Sequence, residues 1–142
     1  PMDEYLAVLQ KWTAPRDKYW YAYKMNEAGA RNVVASSLTL SHGMPFQAED
    51  VFLTNGATAA LAVVFDAILD PLDEVVFISP PWFMYEAMIL NAGGKPVRVK
   101  MDRKTFELAL QARSSAISPK TRAIIINSPH NPTGKISKAA GS

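Results

Sequence analysis

Cysteine is absent from the 142 residues, which excludes disulfides, thiolate-bound metal and a cysteine nucleophile. Histidine is nearly so: His42 and His130 are too few for a histidine-rich zinc centre. Neither charge sign dominates, because 15 Lys and Arg face 13 Asp and Glu for a net charge of +2. The positive residues are dispersed rather than clustered as a nucleic-acid interface requires. The aromatic stretch from Lys18 to Lys24 is therefore read as packing or subunit contact. Ala59 to Phe65 is the longest apolar run, far short of the ~18–20 residues of a membrane span. No basic-then-apolar leader opens the sequence. These absences lead to the expectation of a soluble, cytoplasmic protein with no nucleic-acid and no membrane partner.

What remains is an ordinary globular composition, 49% hydrophobic and 20% charged, on a length that suits a single core. No internal repeat or low-complexity tract is present. The sequence changes character near residue 50. The reading divides it into an N-terminal arm and helix over residues 1–50, an αβ portion over 51–136, and a tail over 137–142. The first part is aromatic and irregular, with a helix expected from about Asn26 to Leu40. In the second, strands are expected at Val51–Thr54, Val75–Ser79, Pro96–Met101 and Ala123–Asn127, each short and rich in β-branched or aromatic residues. Leu61, Val64, Phe65, Ile68 and Leu69 recur at helical spacing and share one face. Further helices are expected from Trp82 to Asn91 and from Thr105 to Ile117. This alternation points to an α/β fold, a parallel sheet with helices on both faces in three layers. Val75–Ile78 and Ala123–Ile126 are apolar at every position and read as central strands. Val97, Val99 and Met101 alternate with Arg98 and Lys100 and read as a strand nearer an edge.

Ligands of open parallel sheets bind beyond the carboxyl ends of the strands, so the loops that follow each strand carry the chemistry. After the first strand, Thr54 to Thr58 runs through Asn55, Gly56 and Ala57 into a helix. Small residues there admit a ligand close to the backbone. The free N–H groups favour an anion such as phosphate, with a dipole contribution of ~0.3–2 kcal/mol. The plainer alternative is an ordinary helix start capped by Asn or Thr. After the second strand, Pro80 and Pro81 fix the chain ahead of Trp82, and Ser79-Pro80 is a candidate cis bond. Trp82 is suited to stack on a flat ring, worth ~0.5–1.5 kcal/mol beyond its buried area, or else simply to cover the sheet end. After the fourth, Asn127 to Lys135 is stiffened by Pro129 and Pro132 and offers the Asn131 amide as a donor. His130 is assigned no role. A phosphate-binding P-loop is excluded, since Pro129 and Ile136 stand where Gly and Ser or Thr are needed. No G-x-G-x-x-G follows any strand. An anion cradle, an aromatic plate and an amide donor together suit a phosphorylated planar heterocycle, and pyridoxal phosphate fits that description.

Thr54 to Leu61, Asp70 to Val75, Ser79 to Tyr85 and Asn127 to Gly134 resemble, in order and spacing, the class I/II aminotransferases of the fold-type I pyridoxal-phosphate enzymes. The resemblance runs from about residue 26 to 136. It implies the cofactor pyridoxal 5′-phosphate, with Gly56, Ala57 and Thr58 holding the phosphate, Trp82 stacking on the pyridine ring and Asn131 bonding the phenolic oxygen. It also implies a homodimer acting on an amino acid and a 2-oxo acid, in which Tyr23 is the nearest candidate to reach the neighbouring subunit's phosphate. Leu72 departs from the glycine usual in its turn, so a type I turn on Asp70-Pro71 is expected, which needs no positive φ. The Schiff-base lysine, the aspartate at the pyridine nitrogen and the carboxylate-gripping arginine have no counterparts here, so no catalytic residue is assigned. Lys135 and Lys138 read as exposed, solvated side chains. The expectation is thus the amino-terminal, cofactor-binding portion of an aminotransferase, inactive alone. The alternative is a non-catalytic binding or dimerisation module on the same fold.

Overall fold

The computed structural model describes residues 2–23, 27–102, 104–105 and 115–136. The chain divides into two compact units, Pro1–Leu53 and Thr54–Ser142. The first contains helices α1 (Asp3–Thr13) and α2 (Ala28–His42). The arm was expected to be irregular, yet α1 forms. Its signals are Asp3 and Glu4 in the first turn, Lys11 in the last, and an apolar series at Met2, Tyr5, Leu6, Leu9 and Trp12. Helix α2 runs two residues past its expected end. Gly43 stops it with a left-handed φ of 67° and donates its N–H to the Thr39 carbonyl, as glycine does without a Cβ penalty. Arg31 donates from Nε to the Ala48 carbonyl at 2.7 Å, tying α2 to the 3₁₀ turn Ala48–Asp50. Among the described residues no helix is long and apolar enough to cross a membrane.

The second unit runs α3 (Gly56–Ile68), β1 (Glu74–Ser79), α4 (Met84–Asn91), β2 (Lys95–Lys100) and β3 (Thr121–Ile125). The three strands form a parallel sheet in the order β2-β1-β3. With its flanking helices it is an incomplete αβα fold. Val76 aligns with Val97 and Ile124, and Phe77 with Arg98 and Ile125. Alternate residues of β1 therefore face opposite sides of the sheet. Val75 and Phe77 pack with Phe65 of α3 and with Tyr85, Met88 and Ile89 of α4. Val75, Phe77 and Ile89 are fully buried. The helix expected over 105–117 falls mostly outside the described residues. At its approach Asp102 accepts bonds from the N–H groups of Lys104 and Thr105, which hold its carboxyl below the usual range.

Three expectations are corrected. Val51–Thr54 is not a strand: it pairs with none of the described strands, although Val51 has extended dihedrals. A short apolar run becomes a strand only where a neighbour offers backbone partners, and no described strand pairs with this one. β2 is an edge strand as expected, whereas β3, read as central, is also an edge of the described sheet. Ile124 of β3 and Ile126 just beyond its end are exposed. Finally, the turn after α3 is not type I. Leu72 takes φ 71°, while the Asp73 N–H bonds to the Asp70 carbonyl at 3.0 Å, the pattern of a type II turn with proline second. The Leu72 N–H donates to the Gly93 carbonyl, and the Asp73 side chain accepts from the Asp70 N–H. These partners hold a conformation that leucine disfavours. The same corner requires Gly94, where a Cβ would lie 2.9 Å from Leu69 Cδ1 and 3.1 Å from Ile89 Cγ2.

Glu74 fastens the amino ends of all three strands. Its carboxylate accepts from Lys95 Nζ at 2.9 Å and from Ser118 Oγ at 2.6 Å, and its N–H donates to the Lys120 carbonyl. Arg122 donates from Nε to the Ile68 carbonyl at the end of α3, a favourable place for a cation.

Leu72→Gly should raise stability by about 0.5–1 kcal/mol, as relief of a ~1–2 kcal/mol left-handed penalty exceeds the entropy that glycine adds to the unfolded chain. Urea denaturation would read it as a higher midpoint. Hydrogen bonds from Lys95 and Ser118 hold the Glu74 carboxyl below the usual carboxylate range. Its stabilisation is therefore present above the unfolded value and lost as pH falls through the lower folded one. Glu74→Gln should flatten the acid limb of a stability-versus-pH curve; an unchanged limb would show that the charge contributes nothing.

Candidate functional site

Parallel pairing sends the carboxyl ends of β1 and β3 out on the same side of the sheet, with Trp82 following one and Asn131 the other. Helix α3 reaches that side as well. Its carboxyl end is bonded through Ile68 to Arg122 at the start of β3. Thirteen residues of helix and six of strand each span roughly 20 Å. The amino end of α3, with Gly56, Ala57 and Thr58, therefore lies level with the carboxyl rim.

The α3 entrance differs from an ordinary capped start. Asn55 has φ −74° and ψ 66° and makes no side-chain cap bond. The Gly56 N–H donates to the Thr54 carbonyl at 2.8 Å, an inverse γ-turn. Gly56 has φ 84° with open space where a Cβ would stand. Thr54 spends its hydroxyl on the Gly56 carbonyl. Ala57 and Thr58 are exposed, so their backbone groups and the Thr58 hydroxyl face solvent at the positive end of the helix.

Ser79-Pro80 is cis, as anticipated, and so are Ser128-Pro129 and Asn131-Pro132. Trp82 is half-buried and packs against the core cluster. Its ring meets Phe83 and Tyr85 edge-on at 5.6 and 5.3 Å between centroids. These contacts fix the indole plane without stacking on it. The side chain therefore covers the core cluster at this end of the sheet.

In the third loop Asn131 and Pro132 are exposed and His130 is 4% exposed. His130 Nδ1 lies 2.9 Å from Thr133 Oγ1. Burial pushes its imidazole below the usual value. His130 and Thr133 were given no role from the sequence; the signal available was the pairing of a small hydroxyl three residues after the histidine. Lys135 is not a freely solvated lysine, since it is half-buried and its Nζ donates to the Thr105 carbonyl at 3.4 Å. Lys138 lies outside the described residues. Tyr23, in the first unit, is fully exposed. A groove between α3 and α4, lined by Ala62, Asp66, Met84, Ala87, Met88 and Asn91, contains none of the five expected ligands.

A model of the family described as aminotransferase class I and II matches residues 24–141. The chain belongs to this family. It is 38% identical over 107 residues to a probable aspartate/prephenate aminotransferase of Thermus aquaticus, covering 75% of this chain and 28% of that protein. It is 36% identical over 108 residues to an aspartate aminotransferase of Bacillus subtilis, with the same coverage on both sides. Among solved structures, an aminotransferase from Eubacterium rectale superposes with a TM-score of 0.85 at 29% identity, covering 94% of this chain and 34% of that one. A Thermus thermophilus aspartate aminotransferase gives 0.74 at 35% identity, covering 79% and 31%. The chain thus spans about a third or less of these family members, and all three rim loops fall inside the matched range.

Following the His130 C2 proton by NMR should give a titration midpoint below the ordinary ~6.5 of histidine, because burial disfavours the charged ring. A midpoint at or above that value would contradict the burial of the ring.

Proposed function

We propose that the chain is the amino-terminal, cofactor-binding portion of a pyridoxal-phosphate-dependent aminotransferase that moves an amino group between an amino acid and a 2-oxo acid. The observation that carries this reading is the parallel β1–β3 pairing, within a chain of the aminotransferase family. The names of the relatives, aspartate and aspartate/prephenate aminotransferases, support the substrate class. The complete enzyme is proposed to be a cytoplasmic homodimer, with the exposed Tyr23 available to a neighbouring subunit.

The donor set fits the cofactor. Backbone N–H groups at Ala57 and Thr58 and the Thr58 hydroxyl would hold the phosphate, and Gly56 leaves the approach unobstructed. Trp82 would lie against the pyridine ring, its tilt fixed by Phe83 and Tyr85. The Asn131 amide would donate to the phenolic oxygen. When bound, pyridoxal phosphate supplies the electron sink for amino transfer. This chain's residues contribute attachment and orientation, and none of them is assigned to carry the proton.

The test is calorimetric titration of the 142-residue chain with 4′-deoxypyridoxine 5′-phosphate, which keeps the phosphate, ring and phenolic oxygen but has no aldehyde to condense with lysines. Trp82→Ala should weaken binding by about 0.5–1.5 kcal/mol or more. Asn131→Ala should cost about 1.5–3 kcal/mol if the phenolic oxygen is ionised. The chain alone should show no amino transfer. Binding that is indifferent to both substitutions would remove the proposal, and turnover by the isolated chain would contradict the division of labour.

A further inference from the structure

Among the described residues two polar side chains are buried, Glu74 and His130. Glu74 is occupied in joining the strand ends, whereas the function proposed above leaves His130 unused. The loop around His130 is short of backbone donors, because Pro129 and Pro132 have no N–H. Its closure falls on His130. The His130 N–H donates to the Lys135 carbonyl at 2.8 Å, and the Gly134 N–H donates to the His130 carbonyl at 2.6 Å. The side chain adds a third tie, Nδ1 to Thr133 Oγ1 at 2.9 Å. Thr133 Oγ1 also accepts from the Lys135 N–H at 3.3 Å. A threonine hydroxyl has one proton and two lone pairs, so Oγ1 serves the Lys135 N–H and the His130 ring together, whichever imidazole nitrogen carries the proton. Thr133 Oγ1 thus joins the Lys135 backbone to the buried ring. Every one of these bonds connects residue 130 or 133 to residues 133–135. Asn131 and Pro132 are left at the exposed tip.

We propose that His130 is a positioning residue: its Nδ1 bond to Thr133 and its backbone bonds to Gly134 and Lys135 hold the loop closed and fix the direction in which Asn131 presents its amide. The proposal rests on the reading of Asn131 as the cofactor's amide donor and deepens it, since a donor on a flexible tip would lose ordering entropy on each binding event. A buried ring anchored to a neighbouring hydroxyl removes that cost before the ligand arrives.

The test uses the full 142-residue chain, 4′-deoxypyridoxine 5′-phosphate as the probe, and two pairs of variants. His130→Asn keeps a polar atom at the δ position, whereas His130→Gln moves it one bond further out. Thr133→Ser keeps the hydroxyl, whereas Thr133→Val keeps only the shape. The Asn and Ser variants should bind within about threefold of the parent, and the Gln and Val variants about tenfold more weakly, the scale of one lost hydrogen bond. The double variant H130Q/T133V should be no weaker than Thr133→Val alone, because that change already removes the bond lost in His130→Gln. In NMR spectra without ligand, the Asn131 side-chain amide signals should move in the Gln and Val variants while the backbone amides of Val75 to Phe77 stay in place. If the histidine merely filled space, Thr133→Val would be harmless and the Asn variant would be the worse of its pair; either result overturns the proposal. Loss of the Val75 to Phe77 signals in a histidine variant would shift the decision to the threonine pair, where the change is isosteric. If Asn131→Ala binds the probe as well as the parent, the cofactor reading fails, and the Asn131 signals alone then decide whether His130 positions that amide.

Discussion

Pairing of β1 with a parallel neighbour on each edge is the constraint on which the second unit depends. Val75 and Phe77 are shut away from water, so the backbone groups between them must find partners within the protein. β2 and β3 supply them in register. Parallel pairing gives a sheet two unlike ends, with strand entries gathered at one and strand exits at the other. Helices returning between strands deliver their amino termini to the exit side.

The two ends are built from different chemistry. At the entry side, Glu74, Lys95, Ser118 and Arg122 form bonds that tie three strands and a helix together. At the exit side, Ala57, Thr58 and Asn131 are exposed. Fixed partners at one end and available donors at the other are what a binding sheet requires, because a donor already satisfied within the protein gains little from a ligand. His130 joins the two strategies, being a buried group whose bonds are all local and whose neighbour in sequence is exposed.

Much of this was legible in the sequence. The unbroken apolar run Val75–Ile78 identified the central strand; of the expected helix face Leu61, Val64, Phe65, Ile68 and Leu69, it is Leu61, Phe65 and Leu69 that pack at the core cluster, whereas Val64 is exposed. The composition of the three loops identified the candidate ligands. Two of the misreadings originate in partners distant along the chain. Val51–Thr54 has strand composition but no strand beside it. Leu72 adopts a left-handed φ because Gly93 and Asp70 supply bonds there, and no local rule would put leucine in that place. Helix α1 had a legible pattern that the surrounding aromatic residues obscured.

The sequence by itself determined most of the elements, the central strand and the kinds of group available at each loop, because periodicity, turn chemistry and residue type are local properties. Only the tertiary structure decided that β3 follows directly beside β1, that Lys135 is engaged with Thr105, and that His130 is buried against Thr133. Those outcomes depend on which segments meet. Burial and hydrogen-bond partnership belong to pairs of residues brought together by folding, and residue type alone does not contain them.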